Sequence, residues 1–184
     1  MKVKNVLALA AANLGREELV AEIDNCVVNP AGELLSLLRC YNLVENEIAL
    51  DYFPLKHEEV INVQDGKLPF EDLSYAPVEI LSVRVGGKPL DFEIRPAYLQ
   101  LERSMTGNVT VGYTYSPAEK GWNGECELGG KISARLLSLG VCNEFCLSNG
   151  QFGEAATWEK KYREALRAAS GNRRRLSVRS RRWV

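Results

Sequence analysis

The sequence predicts an α+β fold with helices at both ends of the chain and a small antiparallel sheet inserted between them. Three observations carry this expectation. Apolar residues recur at three- and four-residue spacing up to Pro54 and again beyond Gly130. Between residues 57 and 116 the period drops to two, and two glycine-containing dipeptides there suit tight hairpin turns. The last 14 residues follow neither the helical pattern nor the composition of the rest.

Taken in order, Val3 to Leu14 is rich in alanine and leucine and reads as a short helix, which Gly15 is placed to end. A second short helix is expected over Arg16 to Ile23. Asn29 and Pro30 then look like an N-cap followed by proline at the first helical position. They open the clearest helix, Ala31 to Tyr52, whose Leu34, Leu37, Leu38, Tyr41, Val44, Ile48 and Tyr52 share one face; Pro54 ends it. The runs HEEVINVQ and KLPFEDL flank Asp65-Gly66, PVEILSVRV and KPLDFEI flank Gly86-Gly87, and NVTVGYTYS is a further strand. Helical period returns with Ile132, Leu136, Leu139, Cys142, Phe145 and Cys146. Gly150 is a turn into a last helix with Phe152, Ala155, Tyr162, Leu166 and Ala169 on its apolar face. The predicted organisation is a single body over residues 1–170, with the β insertion at about 57–116, and a basic C-terminal arm over residues 171–184.

Composition excludes several classes. Apolar residues at 46% and charged residues at 26% of 184 are ordinary globular values. No apolar run reaches the roughly 18 residues of a membrane span, so no membrane association is expected. Lys2 and Lys4 before VLALAAA resemble the start of a secretory signal, but the segment continues into the charged run REELVAEI without a cleavage site. Five cysteines, Cys26, Cys40, Cys126, Cys142 and Cys146, have no disulfide-framework spacing, which points to reduced thiols that serve packing.

The chemistry-bearing residues assemble into no recognisable active site, so the expectation is a protein that is not an enzyme, with no catalytic residue, no cofactor and no metal. His57, the one histidine, sits in the charged stretch KHEE and reads as a surface residue. Cys142 and Cys146 at i and i+4, with Cys126 and His57, offer four possible zinc ligands, but the close Cys-x-x-Cys spacing that makes such motifs specific is missing. The glycines at 121, 124, 129 and 130 lack the following Lys-Ser/Thr of a phosphate loop. Glu58/Glu59 and Glu125/Glu127 read as solvated pairs.

Charge singles out the C-terminus. Residues 1–170 carry 17 Lys+Arg against 24 Asp+Glu, a balance of −7, while residues 171–184 carry six arginines and no acid. In SGNRRRLSVRSRRWV, Leu176 and Val178 alternate with polar neighbours at the period of a strand. Such a segment could add to the edge of a partner's sheet, its arginines meeting carboxylates and Trp183 serving as an aromatic anchor. Extended, 14 residues reach roughly 45–50 Å. The candidate partner-binding residues are therefore Arg173, Arg174, Arg175, Leu176, Val178, Arg179, Arg181, Arg182 and Trp183. The alternative is a nucleic-acid-binding accessory protein, because clustered arginines contact phosphates and tryptophan stacks on bases.

The order of segments resembles the head-to-tail adaptor, or connector, proteins of tailed bacteriophages. The matching stretches are LLRCYNLVENEIALDYFPL, PVEILSVRVGGKPLDFEI, ISARLLSLGVCNEFCLSNGQFGEAATWEKKYREALRAA and the terminal RRRLSVRSRRWV. The resemblance implies a structural virion protein of the neck, present in the host cytoplasm during assembly. It implies a homo-oligomeric ring, twelve-fold by family analogy, docked beneath the portal protein and contacting a downstream tail or nozzle protein. It also implies that residues 173–184 form the portal-binding arm and that DNA passes through the ring's channel without sequence-specific binding.

Overall fold

The computed structural model describes residues 1–25 and 30–171. The chain has an α+β fold and divides into two compact units: a helical unit built from Met1–Glu45 together with the chain from Lys120 onward, and a β unit, Asn46–Glu119.

In the helical unit, α1 (Val3–Asn13) buries Val3, Val6, Leu7, Ala10 and Ala11. Its small residues let it approach α4 (Ala134–Ser148) closely, where the Cys142 thiol donates to the Ala10 carbonyl at 3.5 Å and Asn13 Nδ2 donates to Ser138 Oγ at 3.3 Å. At the end of α1, Gly15 N–H bonds to Ala12 O and Arg16 N–H to Ala11 O, the paired bonds of a Schellman cap. The second helix, α2 (Glu17–Asp24), follows directly, with Leu19 and Ile23 inward. Asn29 lies outside the described residues, and α3 (Gly32–Glu47) starts at Gly32.

The long helix predicted to reach Tyr52 is α-helical only to Glu47, and Ile48–Tyr52 forms one wider π turn. The reason lies in Pro54, which disfavours α geometry at the residue before it. Phe53 sits at φ −135°, ψ 69°, and its N–H reaches back to Ile48 O at 2.7 Å.

The α4 helix is capped by Ser133, whose hydroxyl accepts from Leu136 N–H at 3.2 Å. It turns into α5 (Phe152–Gly171) at Gly150, whose φ of 72° requires glycine; Gly150 N–H and Gln151 N–H bond to Leu147 O and Cys146 O. Gly140 is the contact point of α4: a β-carbon there would lie 2.6 Å from Val44 Cγ1 and 3.0 Å from Tyr162 Cε2.

The β unit holds two antiparallel sheets where the sequence predicts one. The larger has the order β1-β7-β3-β4, formed by β1 (Leu55–Val63), β7 (Gly107–Tyr115), β3 (Pro77–Val85) and β4 (Lys88–Pro89). The smaller has the order β2-β6-β5, formed by β2 (Lys67–Pro69), β6 (Tyr98–Gln100) and β5 (Glu93–Ile94). The Asp65-Gly66 turn forms as expected, with both φ values positive, but β1 pairs with β7 over its whole length and β2 leaves for the second sheet. The two sheets share a core that includes Val63, Leu68, Leu99, Val109, Val111 and Tyr113.

Candidate interaction surfaces

The predicted arm residues, Arg173, Arg174, Arg175, Leu176, Val178, Arg179, Arg181, Arg182 and Trp183, all lie outside the described residues. What is described is the helix leading to them. Of its 20 residues, α5 buries only Ala155, Tyr162 and Leu166, a single narrow stripe. Its charged residues pair locally: Arg163 with Glu159 at 2.6 Å one turn away, and Lys161 Nζ 4.1 Å from the centre of the Trp158 ring. Exposed Leu147 and Phe152 flank the α4–α5 turn.

On the helical unit, α3 holds the segment after Lys120 through groups the sequence does not single out. Asn42 bonds Lys120 twice, Lys120 N–H donating to Oδ1 at 2.8 Å and Nδ2 donating to Lys120 O at 3.1 Å. One turn on, the Glu45 carboxylate is 1% exposed and accepts from Glu127 N–H at 2.8 Å. Beside it the Tyr41 phenol is held well above its ordinary ionisation range, first by burial and then by the neighbouring Cys126 and Glu45. The same segment is tied to the N-terminus, with Val3 N–H donating to Gly124 O and Cys126 N–H to Met1 O. Spacing along α3 places Tyr41, Asn42 and Glu45 together, but only the fold shows that the glycine-rich segment lies against them.

Cys40, Cys142 and Cys146 are buried and Cys126 is half-buried, and none of the four is in a disulfide. Burial pushes the Cys40 thiol up to about 11 and Cys142 up to about 12. Cys142 and Cys146 therefore act as apolar packing on α4. Among the described residues no group of three or more His, Cys, Asp and Glu side chains is arranged to hold a metal ion, and no helix is long and apolar enough to cross a membrane.

In the β unit, His57 and Glu59 differ from the solvated residues that KHEE suggests. Both point to the half-buried side of β1, because the register sets His57 against Tyr113 and Glu59 against Val111. His57 meets Tyr75, Tyr113 and Tyr115 edge-on, with ring centres 5.2–6.4 Å away, and Tyr75 stacks on Tyr115 at 4.2 Å. Glu59 accepts from Ser74 N–H at 2.9 Å, Ser74 Oγ at 2.7 Å and the Tyr113 hydroxyl, which in turn accepts from Tyr75 N–H. Burial alone would raise the Glu59 pKa, but these hydrogen bonds outweigh it and hold the carboxyl below its ordinary value. Glu58, on the other side, pairs with Arg84 at 2.7 Å, and Glu127 pairs with Lys120.

The larger sheet ends in two unlike edges. On the β3 side, Val78 and Leu81 are the extra residues of two register shifts against β7, and both are exposed. On the other side β1 pairs with β7 through nine consecutive residues, Leu55↔Tyr115 to Val63↔Gly107, without a bulge. Its outward positions Lys56, Glu58, Val60 and Asn62 are all exposed, Val60 at 61%. No protein-family model and no curated protein matches this chain.

Proposed function

We propose that the protein is a structural, non-catalytic adaptor of a phage neck, joining the portal to the tail through its basic C-terminal segment. The observation that carries the reading is the sequence of parts. A helical unit made from both chain regions is interrupted in sequence by an antiparallel β insertion, and the exposed helix α5 hands over at Gly171 to a segment with six arginines and no acid. That order supports an assembly protein whose body presents surfaces while its end reaches a partner. The portal, the downstream tail protein and the ring of copies enter by resemblance alone.

The test is co-sedimentation of the full-length protein, and of a version ending at Ser170, with candidate portal complexes, followed by electron microscopy of what co-migrates. The adaptor reading expects rings on the portal with the full-length protein only. Equal binding by the shortened version removes the arm assignment. If neither form binds a portal and the full-length form alone retains DNA, with affinity falling steeply as salt rises, the nucleic-acid reading takes its place.

A further inference from the structure

The hairpin of α4 and α5 has its charges sorted along its length. Around the turn, residues 141–159 hold three Asp+Glu and no Lys+Arg. At the opposite end, residues 133–140 and 160–171 together hold five Lys+Arg against one Asp+Glu. Arg163 and Glu159 pair across this divide, and without them the two ends still stand at −2 and +3.

Apolar surface is sorted in the same direction. At the acidic end Phe152, 70% exposed, is the most exposed large apolar side chain among the described residues, and Leu147 on the other side of the turn is 42% exposed. At the basic end α4 and α5 leave an open groove of about 370 Å³ between them, with Leu136, Leu139 and Ala165 along it and Arg135, Lys161 and Glu164 beside them. An apolar cavity of roughly 150 Å³ accepts a benzene ring, so this groove has room for the Phe152 ring together with the Leu147 side chain. The apolar knob at the turn does not reach the groove of its own chain, because Leu147 lies 11 residues, roughly 16 Å, along α4 from Leu136.

We propose that the α4–α5 hairpin joins copies of this protein: Phe152 and Leu147 of one copy seat in the α4–α5 groove of a second, and Glu154 of the first meets Arg135 and Lys161 at the rim of that groove. The occupant is a second copy because the knob with its acids and the groove with its bases stand at the two ends of one element, each the complement of the other in charge and in apolar surface. Seating Phe152 takes out of water an aromatic ring that now stands in it, and the opposed charges fix which end enters which. Knob and groove are different surfaces, so the contact is heterologous: a copy that has given its knob still offers its groove, and the joining continues into a closed ring or an open row. The inference stands apart from the adaptor reading, since neither the portal nor any residue beyond Gly171 enters the contact, and its test uses no portal.

Sedimentation velocity of the full-length protein over a concentration series at low salt tests this. The parent should associate as its concentration rises. Phe152→Ser, a change at an exposed position, should raise the Kd of association roughly thirtyfold, the effect of losing a central aromatic anchor. Glu154→Lys sets like charges against Arg135, and Arg135→Glu sets like charges against Glu154, so each variant alone should associate roughly tenfold more weakly than the parent. An equimolar mixture of the two should recover the parent's association, because the reversed acid of one variant meets the reversed base of the other while the alternate contact keeps the parent pairing. That recovery also requires both variants to be folded. A parent that stays monomeric throughout, association unaltered by Phe152→Ser, or a mixture that associates no better than its components would each overturn the proposal.

Discussion

Glu59 shows how one side chain can hold a loop to a strand. Three donors converge on its carboxylate, two of them from Ser74, and Tyr113 links it onward to Tyr75 N–H, so the segment after β2 is fastened to β1 and β7. Tyr113→Phe removes the hydroxyl that both donates to Glu59 and accepts from Tyr75, and should cost about 1.5–3 kcal/mol, the usual loss for a hydrogen bond to a charged group. Because the folded-state pKa of Glu59 is depressed, its contribution is complete above the ordinary value of 4.5 and disappears as pH falls through the folded value. The difference in Tm between the parent and Glu59→Gln should therefore be full near neutrality and shrink below about pH 4. A difference that stays constant down to low pH would show that the charge is not what matters. Nothing in KHEE foretells this role, since Glu58 and Glu59 differ only in parity along the strand, and parity separates an ion pair on the open side from a buried-side latch.

At the scale of the element, the α4–α5 pair was legible in advance because its signals are local: apolar spacing, a serine cap and a glycine turn. The long helix was legible to within one turn, and its wider end at Ile48–Tyr52 follows from the proline two residues later. The division of the strands into two sheets was not legible, because which strand pairs with which depends on contacts distant in sequence, and β1 finds β7 some fifty residues away. Gly140 belongs to the same class. On sequence it is a poor helix residue, and only packing against Val44 and Tyr162 explains it. Gly140→Ala would gain about 1 kcal/mol in helix propensity. It would also press a methyl group into the β-branched, stiff Val44, an overpacking that costs typically about 1–3 kcal/mol. The expected net effect is a lower Tm; a Tm raised by the full propensity gain would mean that α3 and α5 yield easily at this point.

For the whole molecule, the candidate partner-binding segment was legible as composition, because its six arginines stand together in the sequence, whereas the bounds of the β unit were not, because contacts distant in sequence set them. That unit has its own core, with Val63, Leu68, Val83, Leu99, Val111 and Tyr113 all drawn from within it. Residues 46–119 expressed alone should consequently give a strand-rich circular dichroism spectrum and a cooperative melt. A spectrum of unfolded chain would mean that the β core depends on the helices for its stability.

The pair of hydrogen bonds between Asn42 and Lys120 brings together the two points at which the chain leaves the helical unit and returns to it. On the ribosome this arrangement imposes an order of events. When Glu119 has been made, every strand of the β unit exists, yet α4 and α5 do not, and the 52 residues from Lys120 to the end of α5 at Gly171 take roughly 3–10 s at ordinary rates of synthesis. Folds dominated by pairing distant in sequence, such as β1 with β7, form in about milliseconds to seconds. The insertion is thus finished while α1 and α3 still show the apolar faces that α4 will cover, and the nascent chain is most exposed to aggregation in the interval between its middle folding and its ends meeting.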